Sequence, residues 1–494
     1  MLTIPEIKQF IDDDTTSEKK QFAKIGQDYY EGKHDILKHR IFYINDDKKL
    51  VEDKIRANVK ISHPFFTVLV DQLPAYMLSQ DDNPIRATEK AEGLQDLLDE
   101  YFDDEFWAEF GDVIGGSYAK GFDYIYGYKN EDDRLTFECA DGMGVVEVRA
   151  KDSSDGKEHR IYWYIDRIEK GKKTVKRIQD WDDECVYFYV QEDNGNIVLD
   201  ESEEVNPRPH TVYIEEDGSK GGLPLGFIPF WRLDFNKKKI SGLMPVKAII
   251  DDYDMMLCGL SNNLTDADFP IYFVKGYQGN DLDELSTNLR TKKTIGADAD
   301  GGLEVHTVNI PYEARRTKAE IDKENIFDLG FGFNPSQLGD GNITNVVILS
   351  RYTLLDLKAQ NFLKRCKRLL KKLLKVVLAE INEKNGTDYQ IKDTYFDFKF
   401  KIPANETENI ANEKVKAETQ GIVLNNILNV AAQIGDEKTL QLICECLDID
   451  YEDVKDRLQK MKEEPNTANA KALLNAVQTE TETETTETTP PEVE

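Results

Sequence analysis

The sequence lacks the features that mark secreted and membrane-spanning proteins. Only six of its 494 residues are cysteine, and they are too scattered to form a disulfide framework. No apolar run reaches the roughly 18 residues of a membrane-spanning helix, and no basic stretch followed by an apolar one stands at the N-terminus. We therefore expect a protein of a reducing cytoplasm, with no signal peptide and no membrane partner.

Motifs for catalysis and for cofactor binding are also missing. The chain has no G-x-x-x-x-G-K-[ST] phosphate loop, no H-E-x-x-H zinc site and no G-x-S-x-G nucleophile elbow. Cys444 and Cys446 form a lone C-x-C without a second Cys or His pair nearby. Acidic clusters at 180–184 and 251–254 are candidates for magnesium, but a chain with 94 acidic residues forms such clusters by composition alone. The sequence predicts no catalytic residue, no metal and no cofactor.

Positive charge is in short supply. The chain has 63 Lys and Arg against 94 Asp and Glu, so its formal net charge is −31. Such a surface repels polyanions at long range, whereas a conventional DNA-binding protein carries a basic face. Two interpretations stay open. The protein is an ordinary acidic cytosolic protein, or DNA passes over its surface without sticking, because few phosphate contacts create little affinity.

Hydrophobic periodicity indicates an α+β fold, and the length allows roughly three domains. Apolar residues at helical spacing predict three helices before residue 122, at 17–30, 64–78 and 88–120. Pro74 should kink or shorten the second of them. Alternating apolar residues over 123–235 predict strands, with a tight hairpin turn at Asn194-Gly195.

The second half of the chain alternates helices with smaller units. A β-rich unit with strands at 269–275 and 303–309 separates helices predicted at 245–264 and 312–329. Glycine and proline without periodicity predict a loop over 331–345. Beyond it we expect a long helix over about 346–380, a strand at 395–402 and helices at about 406–433, 437–447 and 451–464.

Two helices carry side chains that suggest contacts with partners. The helix from 245 has an apolar stripe wide enough to pack against neighbours on more than one side, formed by Val246, Ile249, Ile250, Tyr253, Leu257 and Leu260. The helix from 346 has a strongly basic face, which we call the basic belt, formed by Lys358, Lys364, Arg365, Lys367, Arg368, Lys371, Lys372 and Lys375. The belt either covers a surface and pairs with acids of a neighbouring subunit, or approaches DNA in part.

Four stretches follow one another in a recognisable order. They are Tyr29-Tyr-Glu-Gly-Lys-His-Asp-Ile-Leu37, Asn58-Val-Lys-Ile-Ser-His-Pro-Phe65, Ser117-Tyr-Ala-Lys-Gly-Phe-Asp-Tyr-Ile-Tyr126, and Gly226-Phe-Ile-Pro-Phe230 continued by Ser241 through Asp254. Together with the order helix, insert, helix, loop and long helix, they resemble the portal proteins of tailed double-stranded DNA phages. The resemblance is to the branch of long-tailed phages of Gram-positive hosts, and it extends from about residue 25 to 380.

The resemblance implies a portal fold and a ring, usually of twelve subunits, at one vertex of the capsid. It divides the chain into a wing (1–240), a stem helix (241–268), a clip (269–310), a second stem helix (311–330), a tunnel loop (331–349), a long helix with a strand returning to the wing (350–403), a helical crown (404–464) and an acidic disordered tail (465–494). The narrowest part of the channel would be lined by Gly339, Asp340, Gly341, Asn342, Ile343, Thr344 and Asn345. Family members often have Ser-Gly where this chain has Thr344-Asn345.

The implied function is non-enzymatic. The ring would nucleate capsid assembly, conduct double-stranded DNA without sequence preference during packaging and ejection, and reside in the virion after assembly in the host cytoplasm. Its other partners would be the terminase large subunit, the scaffolding and major capsid proteins, and a head-completion or tail adaptor protein. Two alternatives are another minor structural protein of the phage head and a magnesium-dependent nuclease. The nuclease would need a convergent acid–lysine cluster, which the sequence does not reveal.

Overall fold

The protein forms two compact units, Met1–Pro403 and Ala404–Glu494, in a computed structural model. The structure describes residues 1–45, 47–54, 56–130, 133–168, 173–214, 220–267, 271–277, 281, 283, 297–306, 311–334, 345–402, 414, 419–431, 435–447, 451 and 454–455. Helices predominate over residues 1–120 of the first unit and strands over 122–234, so the α+β class predicted from the sequence is confirmed. Among the described residues, no helix is both long and apolar enough to cross a membrane.

Five helices form most of the N-terminal region: α1 (Ile4–Thr16), α2 (Glu18–Tyr30), α3 (Phe65–Met77), α4 (Leu94–Tyr101) and α5 (Asp104–Lys120). The single helix predicted over 88–120 is wrong. The Asp103 side chain accepts a hydrogen bond from the Phe106 amide at 2.9 Å and so begins a new helix. Pro74 lies inside α3, which nevertheless continues to Met77.

Two main sheets cover residues 122–234. The strands of this region are β4 (Phe122–Lys129), β5 (Leu135–Ala140), β6 (Val145–Val148), β7 (His159–Ile168), β8 (Lys173–Trp181), β9 (Cys185–Gln191), β10 (Ile197–Leu199), β11 (Arg208–Pro209), β12 (Thr211–Ile214), β13 (Lys220–Leu223) and β14 (Phe230–Asp234). One main sheet has the order β10-β9-β8-β7-β6, with β11 also paired to β9, and the other has the order β14-β4-β5. The turn predicted at Asn194-Gly195 is confirmed, because it joins β9 to β10 and Gly195 has φ +82°.

Shorter strand pairs complete the first unit. β1 (Phe42–Ile44) pairs with β2 (Leu50–Glu52), and β3 (Ile85–Ala87) pairs with β17 (Thr394–Phe396). The strand predicted over 395–402 is therefore only three residues long. Beyond it the amides of Lys399 and Lys401 bond to side chains, at 2.6 and 2.7 Å, instead of to a neighbouring strand.

A pair of packed helices flanks a hairpin in the middle of the chain. α6 (Lys247–Ala267) packs against α7 (Tyr312–Leu329), whose bounds match the prediction. The hairpin pairs β15 (Ile271–Tyr277) with β16 (Ala297–His306), and its register shifts between Lys275 and Tyr277. The strand predicted from residue 303 begins earlier, at Ala297, and includes Gly302, which pairs with Lys275 of β15.

The long helix α8 (Asn345–Asn385) has 41 residues, so it is about 62 Å long at 1.5 Å per residue. Residues 346–349, assigned above to the tunnel loop, belong to this helix, because no glycine or proline follows Gly341 to interrupt it. Its apolar face is buried, as the spacing predicted. The residues of this face are Leu355, Ala359, Phe362, Cys366, Leu369, Leu373 and Val377. Each buried leucine stabilises the fold by about 1.5–3 kcal/mol, so this face anchors α8 against α3.

The second unit is described by itself. Residues 419–431 are helical, and α9 (Asp436–Leu447) follows. The Gln420 side chain donates a 3.4 Å hydrogen bond to the Cys446 carbonyl. The remaining parts of the predicted crown helices, and the acidic tail, lie outside the described residues except for single positions.

Candidate functional site: the basic belt and the clamp on α6

One polar stripe of α6 holds the segment that follows α2; we call Lys247, Asp251, Asp254, Cys258 and Asn262 the clamp. Their spacing of three to four residues puts them on one helix face. Lys247 Nζ lies 2.7 Å from carboxylates of both Asp35 and Asp251, and the Tyr29 hydroxyl donates to Asp251. Farther along, the amides of Ile61 and Val59 donate to Cys258 Sγ at 3.2 Å and to Asn262 Oδ1 at 2.6 Å.

Asp254 is the centre of the clamp and is fully buried. Its two oxygens lie 2.6 Å from His34 Nδ1 and 2.7 Å from His63 Nδ1, and the His63 amide donates to it at 3.0 Å. Burial by itself raises the pKa of Asp254, but the hydrogen bonds from His34 and His63 outweigh it and hold that pKa below its ordinary value. Both imidazoles therefore donate through Nδ1 to a carboxylate.

The clamp joins three of the four stretches that carry the family resemblance. His34, His63 and Asp254 come from the first, second and fourth of them, and Asp254 lies 220 residues after His34 and 191 residues after His63. The spacing of these histidines contains no metal motif. Only the conjunction of the motifs in the sequence hinted that their side chains meet.

The apolar stripe of α6 is divided between two environments. Val246 and Ile250 are fully buried in the core of this chain, and Ile249 and Tyr253 pack against it in part. Leu257 and Leu260 are half-buried, so they retain apolar surface for a neighbour. The prediction that this stripe packs between subunits stays open only for this second group.

The prediction that Lys358 belongs to the basic belt is wrong. This side chain is buried, and its Nζ lies 3.1 Å from the Gly330 carbonyl and 3.3 Å from the Tyr118 hydroxyl. Burial lowers the pKa of Lys358 to about 7, because no carboxylate compensates for the lost solvation. Helical spacing placed this residue with the surface lysines, although it belongs to the buried face.

The seven remaining belt residues have no ion-pair partner in the part of the chain that the structure describes. Five of them are exposed, and Arg365 and Lys367 are half-buried, with Lys367 Nζ 5.6 Å from the Phe398 ring centre. In contrast, the neighbouring Arg232 is paired at 2.7 Å with both Glu147 and Asp234. These seven cations are therefore free to meet an anionic group that lies outside the described residues.

The acidic clusters found in the sequence are used within the fold. Asp180 accepts from His159 Nδ1 at 2.9 Å, Asp182 accepts from the amides of Glu184 and Cys185, and Asp252 pairs with Lys318 at 2.6 Å. Among the described residues, no group of three or more His, Cys, Asp or Glu side chains is arranged to hold a metal ion.

Sequence reasoning missed one acid–lysine cluster. Lys120 Nζ lies 2.9 Å from Asp123 and 2.7 Å from Asp141, so an ammonium group already occupies the position between the two carboxylates. Burial raises the pKa of Asp123 to about 6, although Lys120 opposes the shift. Lys120 and Asp123 lie in the third resemblance stretch, which was the available signal, whereas Asp141 lies 15 residues beyond its end.

Six of the seven predicted channel-lining residues lie outside the described residues: Gly339, Asp340, Gly341, Asn342, Ile343 and Thr344. The seventh, Asn345, is the first residue of α8. The entry to this loop is fixed. The Gln72 side chain donates to the Phe333 carbonyl at 2.7 Å and accepts from the Phe333 amide at 2.9 Å. Phe333, at the start of the predicted loop, is therefore held against α3.

Comparison with known proteins gives matches over most of the chain. A family model described as phage portal protein, SPP1 Gp6-like, matches residues 8–471. A portal protein of Bacillus phage SPP1 is 25% identical over 339 residues, which is 68% of this chain and 65% of that protein, just under two thirds of its length. A portal protein of Clostridium phage phiCD119 is 25% identical over 405 residues, covering 76% of this chain and 82% of that protein.

A solved structure described as the neck of a native GTA particle computed with C12 symmetry is also similar to this chain. The alignment covers 77% of this chain and 89% of the chain in that structure, with 14% sequence identity. The TM-score is 0.37, a likeness too low to support an argument about subunit number or function.

Proposed function

The chain belongs to the family of phage portal proteins described as SPP1 Gp6-like, and on this premise we propose that it forms a ring at one vertex of a phage capsid. Double-stranded DNA passes through the ring during packaging and ejection. The observation that carries the proposal is the family match over residues 8–471, which includes most of both compact units. The ring is a component of the virion, assembled in the host cytoplasm.

We assign the parts of the ring as follows. Residues 1–240 form the wing, α6 and α7 the stem, 269–310 the clip and 404–464 the crown, with the acidic tail beyond. The tunnel loop is shortened to residues 331–344, because α8 begins at Asn345. Two packed helices that flank a hairpin, and the 41-residue helix that comes next among the described residues, support this assignment.

The tunnel loop is the proposed DNA contact. Asn342 and Thr344 are polar and uncharged, so they touch a sliding duplex without the salt-dependent affinity that lysine–phosphate contacts create. The belt begins at Lys364, 19 residues after Asn345, or about 28 Å along α8. That distance exceeds the roughly 8–10 Å over which exposed charges interact at physiological salt. We therefore propose that the belt pairs with acidic side chains of a neighbouring subunit.

The other partners follow from the same premise. We propose that twelve subunits close the ring, that scaffolding and major capsid proteins meet it during assembly, and that the clip docks the terminase large subunit and later a tail adaptor. The protein performs no chemistry of its own in this scheme, because the motor supplies the energy of ATP hydrolysis.

Electron microscopy of the purified protein tests the ring. Negatively stained particles should average to closed rings with an open channel of roughly 20 Å or more, which a duplex with its two grooves requires. Uniform monomers at micromolar concentration in the presence of scaffolding protein would contradict the proposal. A magnesium-dependent cleavage assay on plasmid DNA tests the nuclease alternative, and no cleavage is expected.

Neutralising the belt should weaken the ring. We expect the triple change Arg368→Gln, Lys371→Gln and Lys375→Gln to raise the protein concentration needed for assembly about tenfold, because three charge-assisted contacts are lost at each interface. Native mass spectrometry over a concentration series measures the shift. As a matched control, Lys275→Gln, Arg316→Gln and Lys399→Gln remove exposed cations that are already paired with Glu304, Glu320 and Asp397 of the same chain. Intact rings that package less DNA would instead support a belt–DNA contact.

A further inference from the structure

A two-stranded hairpin projects from the clamp with apolar side chains in water. We call residues 39–58 the arm; it contains β1 and β2. Five of its large apolar side chains are exposed: Phe42 by 49%, Tyr43 by 48%, Ile44 by 71%, Leu50 by 69% and Val51 by 36%. Successive strand residues point to opposite faces, so both faces of the hairpin are apolar and exposed.

Backbone hydrogen bonds join the two strands of the arm, and at its N-terminal end the His39 amide donates to the Ile36 carbonyl at 3.0 Å. The Asn45 amide donates to the Lys49 carbonyl at 3.0 Å, the Asp53 amide donates to the Ile41 carbonyl at 2.8 Å, and Asn58 closes the base on the His39 carbonyl at 3.3 Å. None of its described residues belongs to the hydrophobic clusters of the chain. A lone two-stranded hairpin is marginally stable in water, so this element needs a surface to cover it.

The base of the arm is held firmly. The clamp on α6 binds the chain on both sides of the arm. It holds His34 and Asp35 on the N-terminal side. On the C-terminal side it holds Val59, Ile61 and His63. The arm therefore leaves α6 in a fixed direction. A rigid base lowers the entropy lost when the tip binds a partner.

Charge identifies the partner. Residues 38–60, the arm with its two flanks, contain seven of the 63 Lys and Arg and four of the 94 Asp and Glu, for a net charge of +3. The rest of the chain is left with 56 bases and 90 acids, a net charge of −34. Two copies of so acidic a protein repel each other, and a basic element at the contact offsets that repulsion. The apolar tip excludes a phosphate backbone as the main partner, because phosphates offer no surface to Phe42, Ile44 and Leu50.

We propose that the arm docks on a second copy of this chain, where its apolar strands are covered and its lysines meet the acidic surface of that copy. The contact is heterologous, since the arm of one subunit binds a different surface of the next, as a ring requires. The proposal rests on the ring proposed above, but the docking of the arm is tested separately from ring closure.

The first test removes the apolar tip of the full-length protein. The triple change Phe42→Ser, Ile44→Ser and Leu50→Ser should raise the concentration for assembly about tenfold or more by native mass spectrometry, without lowering the melting temperature of the monomer. The control Ile165→Ser, Val198→Ser and Leu199→Ser removes apolar side chains on β7 and β10 that are 66%, 38% and 49% exposed. The control should assemble as the unchanged protein does. Equal assembly of the two triple variants overturns the proposal.

The second test separates the arm from the ring. The photo-crosslinking substitution Tyr43→p-benzoylphenylalanine should yield covalent dimers on irradiation, with the second attachment point in another copy. Crosslinked dimers without closed rings would support docking of the arm on a second copy and contradict the proposed ring. Closed rings without crosslinked dimers would support the proposed ring and overturn the docking of the arm. Crosslinking to added duplex DNA instead of protein would also overturn the arm's proposed partner.

Discussion

The variant Asp254→Ala should lose about 3–5 kcal/mol of unfolding free energy, the cost of removing one partner from a buried charged network. The carboxylate is fully buried and satisfies His34, His63 and the His63 amide. Without it, His34 has no partner on either ring nitrogen, since its Nε2 is already buried without one. The same deletion releases the base of the arm, so assembly should fail as well.

Urea denaturation followed by circular dichroism measures this loss. Asp252→Ala is the matched control two positions away, because that side chain is half exposed and its one ion-pair partner among the described residues is Lys318 on α7. An exposed pair contributes about 0–1 kcal/mol, so the control should remain near the unchanged protein. Equal losses in the two variants would show that the clamp does not depend on Asp254.

The pH dependence of the clamp has a defined sign. The folded-state pKa of Asp254 is lowered, so its contribution to stability is present above the unfolded value of about 3.9 and disappears as the pH falls through the folded value. Asp254→Ala should therefore differ most from the unchanged protein near neutral pH. The difference should narrow at acid pH, where the carboxyl is protonated in both states.

The variant Lys358→Met should gain about 2–4 kcal/mol of unfolding free energy at pH 7. Removing the amine avoids a cost of about 1.4 kcal/mol per unit of its pKa shift, and the loss of one or two hydrogen bonds offsets part of this gain. Burial lowers the pKa of Lys358 from 10.5 to about 7, so folding must neutralise an amine that is charged in the unfolded chain. Methionine has similar length and no charge to desolvate. The Tyr118 hydroxyl still donates to the Gly330 carbonyl at 3.2 Å, so neither group is orphaned.

A stability profile from pH 7 to pH 10 checks this prediction. The unfolded chain binds one more proton than the folded one in that window, so stability of the unchanged protein should rise by up to about 1.4 kcal/mol per pH unit from this group. Lys358→Met should remove that slope, whereas Lys364→Met, at an exposed belt position, should leave it in place. If the unchanged protein and Lys358→Met have equal slopes, the Lys358 amine of the unchanged protein keeps its charge on folding.

The sequence alone determined the elements whose cause is local. Helical spacing located α7 at its observed bounds and identified the buried face of α8 from Leu355 to Val377. Turn chemistry located the hairpin at Gly195. The ordered motifs between residues 25 and 380 identified the portal family, which the family match confirmed. Each of these signals is contained within a few turns or a short stretch of chain, where residue type and spacing decide the conformation.

Only the tertiary structure decided which polar groups are buried together. Periodicity placed Lys358 with the surface lysines, yet packing against Tyr118, 240 residues away, buries its amine. His34, His63 and Asp254 carry no mutual spacing in the sequence, and their contact exists because α6 lies against the segment after α2. Strands β1 and β2 of the arm carry apolar side chains like those of a core strand, but within this chain these side chains are exposed. Burial depends on contacts between residues far apart in the chain, so local pattern cannot determine it.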